Sequence, residues 1–75
     1  MPPVPALRPR QVIRALEHLG WQVVRQRGSH IILSKPGSIA SLSVLQHEQV
    51  ARGTLRTLIA KAGISVQAFR DALGE

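Results

Sequence analysis

Trp21-Gln22-Val23-Val24-Arg25-Gln26-Arg27-Gly28-Ser29-His30-Ile31-Ile32-Leu33-Ser34 is the stretch that decides the fold. Its two halves, Trp21 to Gln26 and Ser29 to Ser34, are rich in β-branched and aromatic side chains, which favour extended backbone. Gly28 divides them as a tight turn, so the halves read as a hairpin. Lys35-Pro36-Gly37-Ser38 then puts Pro and Gly at the two central positions of a type II turn. Beyond it Ala40, Leu42 and Val44 alternate with Ser41 and Ser43, the period of two of a half-exposed strand. Three consecutive strands with such short links form an antiparallel meander.

Helical patterns flank the meander. Pro9 suits a first helical position, Val12, Ile13, Leu16 and Leu19 recur at i, i+1, i+4, i+7, and Gly20 stops the pattern, predicting a helix over Pro9 to Leu19. After the polar connection Gln46-His47-Glu48-Gln49, the set Leu55, Leu58, Ile59 and Ala62 predicts a second helix, opened by Arg52, Gly53 and Thr54 and ended by Gly63. Ser65 stands as N-cap of a third, Val66 to Leu73, with Ile64 and Phe69 placed as a hydrophobic staple. The predicted fold is α+β: a three-stranded antiparallel sheet with helices on one face, α-β-β-β-α plus a short C-terminal helix. The first five elements follow the order of the double-stranded-RNA-binding domain, an analogy of order that does not fix function. Residues 1–8 hold three prolines and no periodicity, so they read as an extended N-terminal arm, with residues 9–75 a single domain.

The chain of 75 residues has 44% hydrophobic and 19% charged residues, a globular composition. A domain of this size buries only about 60% of its unfolded-chain surface, and the chain has no cysteine to add disulfides. Ten Lys and Arg against four Asp and Glu give a net charge of +6. All but Lys35 and Lys61 of the ten are arginines, whose planar fork suits phosphate. Nucleic acid or an acidic protein is the expected partner. No apolar run approaches the ~18 residues of a membrane span, and the expected location is the cytoplasm.

Little in the chain offers enzyme chemistry. The three histidines fall on different elements, His18 on the first helix, His30 on the second strand and His47 in a connection, so no metal site is expected, and no glycine-rich phosphate loop occurs. No cofactor is expected. What stands out is Arg25-Gln26-Arg27-Gly28-Ser29-His30. If Leu33 points into the core, alternation puts Ser29 and Ile31 on its side and His30 and Ile32 on the exposed side. An imidazole with an unperturbed pKa of ~6.5 can give or take a proton at neutral pH, and arginine suits a phosphate gaining charge in its transition state. These are parts of a metal-free ribonuclease. On the residues alone, the favoured reading of His30 is a polar strand residue on a wet face. Arg25 and Arg27 share a face of their strand by alternation, and Arg52 and Arg56 are one helical turn apart at a helix start where free N–H groups attract anions.

The segment Gly20 to His30, followed by an apolar strand and Pro36, resembles the first half of the HicA toxin family of mRNA interferases. Val44-Leu45-Gln46-His47 and then Gly53-Thr54-Leu55-Arg56-Thr57-Leu58-Ile59-Ala60-Lys61-Ala62-Gly63-Ile64-Ser65 are similar to the second half. The resemblance covers roughly residues 9 to 73. It implies a double-stranded-RNA-binding type of fold, a catalytic His30, cleavage of mRNA, and restraint by a HicB antitoxin, here expected to be acidic. The family's later histidine falls on His47. Leu45 stands where a proline is common two residues before it, and Leu33 where an aromatic residue is frequent. The expected RNA contacts are Arg25, Arg27, Gly28, Ser29, Lys35, His47, Arg52, Thr54 and Arg56. The competing expectation is a non-catalytic RNA- or DNA-binding module. A helix-turn-helix built on Lys61-Ala62-Gly63-Ile64-Ser65 is a weaker version of it, because its second helix offers only Gln67 and Arg70 to read bases.

Overall fold

A computed structural model describes residues 7–47 and 49–74. The elements run α1 (Pro9–His18), β1 (Gln22–Arg27), β2 (His30–Ser34), β3 (Ser41–Leu45), α2 (Arg52–Ala62) and α3 (Val66–Ala72), and the sheet is antiparallel in the order β1-β2-β3. This is the expected α+β, double-stranded-RNA-binding-like arrangement. The differences lie at element ends. Trp21, read as a strand residue, precedes β1 and is 1% exposed, an anchor between α1 and the sheet. Its backbone N–H donates to the Leu16 carbonyl at 2.9 Å, closing the end of α1 and turning the chain into β1. The third strand begins at Ser41 rather than Ala40.

The arm assigned to residues 1–8 ends earlier than expected. Leu7 is buried and pairs with Val50, donating to its carbonyl at 3.4 Å and accepting from its N–H at 2.7 Å. A lone apolar residue among prolines carries no periodicity, and the pairing is with a distant segment, so local pattern did not reveal it. Residues 1–6 lie outside the described residues. Next to Leu7, the Arg8 N–H donates to Gln11 Oε1 at 2.9 Å and Pro9 fills the first helical position.

Both turns use glycine where the backbone requires it. Arg27 and His30 are paired, so Gly28 and Ser29 form a two-residue hairpin loop, with Gly28 at φ 59°. At the second turn Gly37 has φ 85° and the Ser38 N–H donates to the Lys35 carbonyl at 3.0 Å, the bond expected of the Pro-Gly turn. At α3, Ser65 Oγ accepts from the Ala68 N–H at 3.0 Å, as its capping role predicts.

The core lies on one side of the sheet. Leu33, Leu42 and Val44 meet Val12 and Leu16 of α1, Leu55, Leu58 and Ile59 of α2, and Phe69 of α3, all buried. Each such side chain contributes ~1.5–3 kcal/mol by leaving water. On β3 the pattern is strict: Leu42 and Val44 are buried while Ser41, Ser43 and Leu45 are exposed. The opposite face of the sheet has no helix over it among the described residues.

Candidate active site

That open face carries His30. It is the first residue of β2, the central strand, opposite Arg27 on β1 and Leu45 on β3. Leu33 is fully buried and His30 exposed, as alternation from Leu33 requires. The next pairs along the sheet are Arg25 with Ile32 and Ile32 with Ser43, so Arg25, Arg27, His30, Ile32, Ser43 and Leu45 share the open face.

A bulge precedes the two arginines on β1. Val23 pairs with Leu33 while Arg25 pairs with Ile32, leaving Val24 as the extra residue. Without it, residues 23, 25 and 27 would all fall on one face. With it, Val23 pairs with core Leu33 while staying 45% exposed, and both arginines pair with the open-face positions Ile32 and His30. The bulge was not read from the sequence; the pair Val23-Val24 is its one signal, since two adjacent valines fit no strict alternation.

His30 Nδ1 lies 3.1 Å from Ser43 Oγ. Which atom donates depends on the ring tautomer. When Nδ1–H donates to the serine oxygen, Nε2 is the free basic nitrogen; in the other tautomer Nε2 carries the proton. Either way one hydrogen bond orients the imidazole and leaves Nε2 to the solvent side. Ser43 was missed as a site residue, although its place on the exposed side of β3 was legible. The described carboxylates, Glu17 on α1 and Asp71 on α3, stand on helices, away from this face. No group of three His, Cys, Asp or Glu side chains converges among the described residues.

The remaining sequence-derived positions divide into four groups. Gly28 and Ser29 form the turn beside His30, and the Ser29 carbonyl accepts from the Gln46 N–H at 2.7 Å, tying the turn to the end of β3. Lys35 follows the far end of β2 and packs its stem toward Gly20, with Cε 3.2 Å from where a Cβ would stand there. Five residues of strand, about 16 Å, separate it from His30, so the two do not share a site. His47 lies past the end of β3, on the wall of a groove between α1 and the β3-α2 connection, which Ile31 of the helix side also lines. His30 and His47 are thus on opposite sides of the sheet.

Arg52, Thr54 and Arg56 are exposed in the first turns of α2. Its N-cap is Ala51, without a side-chain hydrogen bond, and no acidic residue occupies its first turn. Among the described residues no side chain caps the helix start, which leaves N–H groups and positive potential beside two guanidiniums.

Fold and face together define a small basic domain of double-stranded-RNA-binding type whose uncovered sheet presents a histidine beside two arginines of the edge strand β1. The family model described as HicA toxin of bacterial toxin-antitoxin matches residues 9–64, and the chain belongs to that family. No curated protein matches the chain significantly. As a toxin of this family it has an antitoxin partner.

Proposed function

We propose that this toxin is a metal-independent endoribonuclease that cleaves mRNA in the cytoplasm, with His30 as its general base. The observation that carries the reading is an exposed imidazole, tethered to Ser43, that shares one open face with its cross-strand partner Arg27 and with Arg25. His30 Nε2 takes the proton of a ribose 2′-hydroxyl, and the 2′-oxygen attacks the adjacent phosphorus. The P–O5′ bond breaks, the 5′-oxygen takes a proton from water, and the upstream fragment keeps a 2′,3′-cyclic phosphate. Arg25 and Arg27 hydrogen-bond the non-bridging oxygens as charge builds on them. The 2′-hydroxyl is already positioned in the substrate, so no activated water is needed. Gly28 and Ser29 let the strand approach the turn. Arg52, Thr54 and Arg56 hold more distant phosphates.

The antitoxin in this reading is an acidic HicB-type protein that covers His30 with the Arg25 and Arg27 face. Steric cover alone inhibits, with no change in the toxin's fold. The test is incubation of the purified protein with single-stranded RNA in excess EDTA, followed by mass spectrometry of the fragment ends. Cyclic phosphate ends, with DNA uncut and no cleavage by the His30→Ala variant, are expected. A 3′-hydroxyl with a 5′-phosphate, or loss of activity on chelation, overturns the mechanism. Binding without cleavage leaves a non-catalytic RNA-binding module.

A further inference from the structure

The groove that holds His47 has chemistry of its own. It encloses about 940 Å³ between the first turns of α1 and the β3-α2 connection. Arg8, Arg10 and Arg14 line one side, and Gln46, His47 and Gln49 the other. Glu17 is the one carboxylate on its wall among the described residues. Arg10 and Arg14 are four apart on α1, so their side chains leave neighbouring turns about 6 Å apart along the axis, a separation of the order of that between successive phosphates in an extended strand. Glutamine amides offer both donors and acceptors, which suits base edges better than it suits an all-acidic peptide. Ile13 and Ile31 give the groove an apolar floor.

Its position ties it to His30. Gln46, at the groove's near end, donates its N–H to the Ser29 carbonyl at 2.7 Å, and its Oε1 accepts from Gln26 Nε2 at 2.7 Å. Ser29 precedes His30, so the groove opens at the same end of the sheet where His30 stands. A strand leaving His30 over the Gly28 turn passes Gln46 and enters it. We propose that this groove is a second RNA subsite, which holds the phosphates flanking the cleaved bond; the inference rests on the reading of the toxin as a ribonuclease.

The test compares single-stranded RNAs of about four and about sixteen nucleotides, the span of one small binding fold. Binding is measured in the full chain carrying His30→Ala, with and without Arg10→Ala and Arg14→Ala together. Both arginines are exposed on a helix surface, and matching melting curves establish that the variants fold alike. Each phosphate contact on a single strand contributes ~0.7 to the salt slope. Two lost contacts should therefore lower the slope by about 1.4 and weaken the long RNA about 25-fold at 0.1 M salt, with the short RNA changed by less than about twofold. Equal affinity of the two proteins for the long RNA overturns the subsite, as does equal weakening of both lengths, which would mean a diffuse charge effect. Loss of antitoxin binding with RNA binding intact reassigns the groove to a protein and also overturns it. Cleavage by the unsubstituted chain is scored separately: length-dependent binding without cleavage refutes the nuclease reading and keeps the subsite.

Discussion

Ser43→Ala isolates the one side-chain hydrogen bond to the His30 ring among the described residues. It removes the hydroxyl 3.1 Å from Nδ1 and nothing from the core, since Ser43 and His30 are both exposed. Folding stability should therefore move by no more than ~0.5 kcal/mol. A hydrogen bond of this kind is worth ~1 kcal/mol net. If the bond serves to present Nε2 to the 2′-hydroxyl, its loss lowers kcat/KM by about fivefold, from the conversion of ~1.4 kcal/mol per tenfold. The loss should fall on kcat, because Arg25 and Arg27, which hold the phosphate in the proposed mechanism, are untouched. Ser43→Thr keeps the hydroxyl on a residue that favours strands, and should restore the rate. Initial rates on a fluorogenic single-stranded RNA, read beside thermal melts of the three proteins, measure all of this. A Ser43→Ala protein that cuts at the unsubstituted rate refutes the positioning role, and so does a Ser43→Thr protein that is equally slow.

Leu33→Ala should cost ~2–5 kcal/mol, because the side chain is fully buried at the centre of the middle strand; a melting point unchanged within error would contradict the packing. Gly28→Ala meets no atom within 4 Å, so its cost, about 1 kcal/mol, is the backbone strain of a φ of 59°, measurable by urea unfolding. Arg25→Ala with Arg27→Ala, in a His30→Ala background, should lower the salt slope of RNA binding by about 1.4. An unchanged slope would return both arginines to simple solvation.

The elements were legible because each carries a strong local signal: the stripe from Val12 to Leu19, the Pro36-Gly37 turn, the serine alternation on β3, the Ser65 cap. His30's exposure followed from one inference, that Leu33 is core. What escaped was non-local. Leu7 finds its partner in Val50, more than forty residues on, and nothing near it in the chain marks it as core. The bulge at Val24 became definite only with the partner strand's register. His47 and His30 look equivalent as polar histidines near strand ends, yet the sheet separates them, because β3 ends opposite His30 and the next residues fold toward α1. Lys35 was grouped with the site on charge alone. Strand length puts it at the other end.

The smallness of the domain bears on why the site is where it is. With three short helices the chain can cover only one face of its sheet, and Leu33, Leu42 and Val44 turn that way. The other face must then stand in water, and β3 meets this with Ser41 and Ser43 at the positions where a sandwich would carry apolar residues. A polar face costs nothing in buried hydrogen bonds, so a histidine and two arginines can be held there by strand geometry alone, with one serine fixing the ring. The same economy exposes the site. No lid or second layer stands over His30 among the described residues, so anything that fits the face reaches the imidazole, whether substrate or inhibitor. In the proposed reading, control of the toxin comes from a partner that occupies this face, and the positive charge proposed to gather RNA is also the surface that such a partner matches.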